Sequence, residues 1–111
     1  MTINIRTLDQ ATILDLDGPF RAGEAEQAFR NSVGELLSAG VSNIAINLAG
    51  VSFLDSSGVG SLVHTFLTLK QRGGKFKLFA ASKQVAQVLR MVRLDKVLGL
   101  AEDETAALAS F

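Results

Sequence analysis

Ile3 and Ile5 alternate with polar residues, and a second apolar run, Ile13, Leu14 and Leu16, follows a short break at Asp9-Gln10. This period of two predicts a pair of strands joined as a hairpin. Gly18-Pro19 predicts the end of the second strand. In GEAEQAFRNSVGELLSAG the period lengthens, and Ala25, Phe29, Val33, Leu36 and Leu37 recur at helical spacing. Glu24 and Glu26 suit the positive end of that helix, and Gly40 is a natural stop. Ile44, Ile46 and Leu48 then alternate with Asn43, Ala45 and Asn47, which predicts a strand. From Ser57 to Arg72 the pattern is helical and ends at Gly73-Gly74. KFKLFA predicts a further strand, Ser82 can cap a helix carrying Val85, Val88, Leu89 and Val92, and Val97-Leu98 predicts a last short strand. Asp103 can cap a final helix through Ala109.

Strand and helix alternate from residue 11 onward, so the expected fold class is α/β with right-handed crossovers and parallel pairing. With the hairpin this gives a mixed, mostly parallel sheet of four to five strands. Strands covered on both faces would read as continuous apolar runs, whereas Asn43, Asn47, Lys75 and Lys77 interrupt on alternate positions. The helices are therefore expected mainly on one face. No linker, repeat or low-complexity segment interrupts the chain, and residues 1–111 read as one domain.

Composition narrows the chemistry. A chain of 111 residues with 48% hydrophobic residues can bury a core without a disulfide or metal staple. The absence of cysteine excludes thiolate chemistry and iron–sulfur clusters, and one histidine, His64, cannot build a closed zinc site of nitrogen and sulfur ligands. Formal charge is zero, and acids and bases read as spread along the chain, which argues against nucleic acid as a main partner. The opening MTINIRTLDQ has no apolar core of signal-peptide type, and no stretch approaches a membrane span. The expectation is a cytoplasmic protein without direct membrane insertion.

The segment LDSSGVGS, Leu54 to Ser61, invites several chemical readings. A serine nucleophile needs a base, and on a helix starting at Ser57 the only histidine falls a little over two turns from Ser56, roughly 10 Å along the axis. The Gly-x-Ser-x-Gly elbow is absent, and His64 reads as an exposed surface residue. Gly58-Val59-Gly60 lies between strand and helix, but Val63 occupies the place of a third glycine, so the glycines read as a tight turn rather than a dinucleotide loop. No enzymatic activity and no cofactor are expected. Ser56 or Ser57 can serve as the helix N-cap. From Ser56 through Leu69 no side chain is charged, and the face opposite the apolar stripe of Val59, Leu62, Val63, Phe66 and Leu69 carries Gly60, Ser61, His64, Thr65 and Thr68. A small, neutral face of this kind suits a protein partner, because charge is depleted at interface centres. Phosphate on a serine at the helix start would add nearly two negative charges beside Asp55, which the helix N-terminus tolerates and a partner fitted to the neutral form would not.

INLAGVSFLDSSGVGSLV, with the downstream GGKFKLFAAS and VLRMVRLDKVLGLAEDETAALA, resembles STAS domains, and more narrowly the stand-alone bacterial anti-sigma factor antagonists. The resemblance covers the chain from about residue 11 onward and implies a mixed sheet with helices mainly on one side. It also implies binding to an anti-sigma factor that is a serine kinase, inactivation by phosphorylation at that kinase's hand, and restoration by a serine phosphatase. Carried onto this sequence, the phosphorylated residue is Ser56, with Ser57 as second choice. Asp55, Ser57, Gly58, Gly60, Ser61, His64, Thr65 and Thr68 would belong to the partner surface. Two positions depart from the pattern. Arg21, also assigned to that surface, stands where an acid follows the second strand, and Arg93 stands where many members have glycine. Related stand-alone STAS proteins act as constitutive adaptors in lipid-transport or stress-sensing assemblies, which is the alternative reading. The partner's identity and the oligomeric state are left open by the sequence.

Overall fold

The computed structural model describes residues 1–111. Its elements run β1 (Thr2–Thr7), β2 (Thr12–Phe20), α1 (Glu24–Ser38), β3 (Asn43–Leu54), α2 (Ser56–Gln71), β4 (Lys75–Phe79), α3 (Lys83–Met91), β5 (Leu100–Ala101) and α4 (Glu104–Ala109). The five strands form one sheet in the order β1-β2-β3-β4-β5. The β1–β2 pair is antiparallel and every later pair is parallel. This is the mixed, mostly parallel sheet that the alternation of patterns predicts.

The two faces of the sheet are unequal. Leu14, Leu16, Ile44, Ile46 and Leu78 point to one side, where Phe29 and Val33 of α1, Leu62 and Leu69 of α2, and Val85 and Leu89 of α3 bury them. Each such side chain contributes about 1.5–3 kcal/mol by leaving water. On the other side Ile13, Ala45 and Phe79 are buried against Ala107 of α4, with Ala80, Ala101, Leu108 and Phe111 packed around them. That single short helix explains why polar residues interrupt the strands.

Helix ends follow sequence chemistry closely. Ser82 accepts from the Val85 N–H and Asp103 from the Ala106 N–H, each as N-cap. The first three helices close with a pair of reversed hydrogen bonds. Val41 N–H donates to Leu36 O, Gly74 N–H to Leu69 O, and Leu94 N–H to Leu89 O. The motif needs a left-handed residue, which is Gly40 in α1, Gly73 in α2 and Arg93 in α3, at φ of 87°, 75° and 59°. Arg93 therefore occupies a conformation that glycine takes without strain.

Three sequence expectations are corrected. β2 does not end at Gly18-Pro19 but runs on to Phe20, because irregularities in its pairing with β3 between Asp15 and Asp17 and between Gly18 and Phe20 accommodate a residue without an N–H. β3 is longer than its alternating core and continues to Leu54. The last strand is Leu100–Ala101 rather than Val97-Leu98. Residues 94–99 form turns instead, with Leu98 N–H donating to Leu94 O and Gly99 reversing the chain at φ 70°.

Candidate functional site

The lengthened β2 and β3 create the site. β4 pairs with β3 only as far as Asn47, whereas β2 stays paired with β3 to Leu54. The two strands thus project past their neighbours and carry the Phe20–Ala22 turn and the start of α2 together. Asp55 ties them. Its backbone is extended at φ −99° and ψ −177°, and Oδ1 accepts from the Gly58 N–H at 2.9 Å while Oδ2 accepts from the Ala22 N–H at 3.0 Å. Asp55 N–H donates in turn to Phe20 O. The Gly58 and Ala22 amides hold this carboxyl below the usual carboxylate range.

Asp55, not Ser56 or Ser57, is the N-cap of α2. A carboxylate offers two separate acceptor oxygens, one turned to the helix and one to the neighbouring turn, whereas a serine would have to reach both from a single hydroxyl oxygen. Ser56 becomes the first residue inside the helix, exposed and with its hydroxyl in no hydrogen bond, while Ser57 is half-buried. The serine is therefore free of the structural duty that its position first offered it.

Helix α2 separates the predicted surface residues into two groups. Gly60 and His64 are exposed and Thr68 half-buried. Ser61 and Thr65 are buried, so their assignment to the outer face is corrected, and Gly58, expected in the partner surface, is buried as well. A β-carbon on Gly58 would stand 2.6 Å from Phe20 O and 2.7 Å from Leu54 Cδ1, so this glycine lets α2 sit against the strand ends. Ser61 and Thr65 face α1, where Gly34 keeps the partner helix slim, and the groove between them encloses about 200 Å³. Thr65 Oγ1 donates to Ser61 O, whereas Ser61 Oγ has no protein partner. Arg21 is exposed in the turn that Asp55 fastens.

Beside these buried residues the structure exposes apolar ones that the periodicity did not point to. Leu67 is 49% exposed and Phe53 near the end of β3 is 52% exposed, while Val63 packs against the core as its place in the apolar stripe predicts and is left half-buried. Gly60, Val63, His64 and Leu67 share one side of the helix by their spacing of three and four. Leu67 lay off the stripe assigned to the core, which was the available signal. Phe53 was hidden because the irregular pairing of β3 breaks the alternation that would have pointed it inward or outward. The resulting surface runs from Ser56 along α2 and is small, apolar and uncharged. No group of three or more histidine, aspartate or glutamate residues is placed to hold a metal ion.

Comparison with known proteins agrees with this fold. The family model of the STAS domain matches residues 2–107. An anti-sigma factor antagonist from Mycobacterium paratuberculosis superposes with a TM-score of 0.86 at 23% identity, covering 98% of this chain and 92% of that one. An anti-sigma-factor antagonist (STAS) domain protein from Planctomyces limnophilus gives 0.78 at 25% identity, covering 97% and 95%. The phosphorylated form of the Bacillus cell fate determinant SpoIIAA gives 0.75 at 22% identity, covering 99% and 100%. With the family match spanning nearly every element of the sheet and its helices, this chain belongs to the STAS domain family.

Proposed function

We propose that this protein is an anti-sigma factor antagonist that binds a serine-kinase anti-sigma factor through the outer face of α2, and that phosphorylation of Ser56 switches the binding off. The observation that carries the reading is the placement of Ser56: exposed, free of hydrogen bonds, at the first turn of α2 and beside an uncharged face. Phosphate there meets the positive end of the helix dipole, so the fold tolerates it. It also puts nearly two negative charges next to an Asp55 already held ionised, and a partner seated on Gly60, Val63 and Leu67 would face that charge directly. The switch needs no refolding. The chain acts as kinase substrate rather than enzyme, and a serine phosphatase resets it.

Arg21 supports a second reading, a constitutive adaptor in a larger assembly. It is a cation exposed in the turn fastened to Asp55, where the antagonist pattern has an acid. The two readings separate in one experiment. Purified protein is phosphorylated at Ser56, its fold is checked by circular dichroism, and its affinity for the serine-kinase anti-sigma factors of the host is measured beside the unmodified form. The switch predicts a loss of at least about tenfold, since burying an unpaired phosphate against a partner fitted to a neutral face costs several kcal/mol of lost hydration. Equal affinity of the two folded forms would assign the protein to the adaptor class.

A further inference from the structure

The neutral total hides a segregated charge distribution, which corrects the expectation that acids and bases are evenly spread. Eight of the eleven basic residues lie between Lys70 and Lys96, a stretch with one acid, Asp95. Ten of the eleven acids lie outside it. None of those eight cations takes part in an ion pair; the salt bridges of the molecule use only Arg6 and Arg30. Unpaired like charges repel one another across a folded surface, so the fold alone gives no reason to gather them.

Tertiary structure brings several of them to one concavity. At the β4–β5 edge, between α3, the 94–99 turns and the end of α4, lies a cleft of about 800 Å³ into which Lys77, Lys83, Arg90 and Lys96 face, with Asp95 and Glu102 also on its wall. A neighbouring hollow of about 280 Å³ shares Lys77 and Lys96 and adds Lys70 and Lys75. Lys77 comes from the thinly covered face of the sheet. Its aliphatic stem lies over Gly99, where a β-carbon would stand 2.7 Å from Cδ. That packing and the left-handed turn at Gly99, φ 70°, fix both wall residues.

We propose that this cleft binds a compact anion carrying two or more phosphates. The volume suits a small ligand rather than a flat contact. Lysine ammonium groups and an arginine fork are the side chains that hold phosphate oxygens. The two wall carboxylates disfavour a continuous polyanionic strand crossing the cleft, while a compact ligand can place hydroxyl or amino groups against them. The cleft is independent of the α2 face, so its occupancy does not rest on the switch at Ser56.

The test is a titration of the full chain with tripolyphosphate, followed by backbone amide NMR shifts, with sulfate at matched ionic strength as control. Saturable shifts confined to α3, the 94–99 turns and β4 are expected, weakened at least about tenfold in the Lys83→Glu/Arg90→Glu protein, because each reversal removes one attraction and adds one repulsion. Lys83 and Arg90 are exposed, so the fold survives these changes. The milder pair Lys83→Gln/Lys96→Gln supplies the same test with less charge change. Co-sedimentation with phosphatidylcholine vesicles, with and without cardiolipin, whose headgroup carries two phosphates, separates the two sources of phosphate. Retention only on the acidic vesicles assigns a lipid headgroup, and binding of free tripolyphosphate alone assigns a soluble ligand. Shifts that do not saturate, that match those with sulfate, or that centre on Ser56 would overturn the proposal. So would tighter binding of a long oligonucleotide than of tripolyphosphate, which would make the surface a nucleic-acid face.

Discussion

Gly58 and Gly60 are two positions apart in the same helix and stand in opposite surroundings. Gly58 is buried, with Phe20 O and Leu54 Cδ1 where its β-carbon would be, and the carbonyl belongs to a paired strand that cannot step aside. Gly60 is exposed, and a β-carbon there would meet nothing within 4 Å. Gly58→Ala is therefore expected to destabilise the protein by about 2 kcal/mol or more through overpacking. Gly60→Ala is expected to stabilise it by up to about 1 kcal/mol, because alanine is the better helix former. Urea unfolding of the two variants reads both signs. The same Gly60→Ala protein should bind the proposed anti-sigma partner more weakly, since a methyl group on the uncharged face holds the partner away. A variant that is more stable and binds no worse would remove Gly60 from the contact surface.

Among the elements, α4 depends most on others. Its six residues are too few for a helix to persist alone in water. Two contacts hold it: Ala107 buried against Ile13, Ala45 and Phe79, and Glu104, whose Oε1 lies 2.6 Å from Arg6 Nη2. Arg6 also forks onto Asp15, at 2.7 Å through Nε and 2.8 Å through Nη2, and Asn47 donates to the same carboxylate at 2.8 Å. Hydrogen bonds from Arg6, Asn47 and Asn4 hold Asp15 below the usual carboxylate range. A carboxylate whose pKa is lowered by folding adds stability above its unfolded value, about 3.9, and loses it as pH falls through the lower folded value. Asp15→Asn is thus expected to lose about 1 kcal/mol at neutral pH, a modest figure because the cluster is partly exposed. It should also unfold less steeply as pH drops from about 4 to 2. Denaturant titrations across that range check both; an unchanged acid limb would mean that the clamp adds nothing to stability.

For the whole molecule, the segregation of charge sets a long-range term that no single ion pair shows. With the cations of the Lys70–Lys96 stretch in no ion pair, repulsion among them is expected to outweigh their attraction to Asp95, Glu102 and the more distant acids. Added salt shortens the screening length to about 10 Å at 0.1 M, so moderate sodium chloride is expected to raise stability by a few tenths to about 1 kcal/mol. Thermal unfolding at low and moderate salt measures this, and a midpoint that falls with salt would show that attraction dominates. No helix is long and apolar enough to cross a membrane.

The order of elements, the parallel sheet and its unequal faces were determined by the sequence itself, because they rest on local periodicity. A period of two or of about 3.6 survives whatever the rest of the chain does. The caps at Ser82 and Asp103 and the glycine stops at Gly40 and Gly73 were legible for the same reason, since each involves residues a few positions apart. Only the tertiary structure decided which residue caps α2. Asp55 wins over the serines because the Ala22 amide, distant in sequence, gives its second oxygen a partner, and Ser56 is thereby released to the surface. The face of α2 was likewise settled by packing. Ser61 and Thr65 look outward on a lone helix, but α1 lies against them, and the apolar Leu67 is left exposed in their place. A helical pattern specifies how residues are spaced around an axis, whereas which arc meets solvent depends on where the neighbouring elements dock.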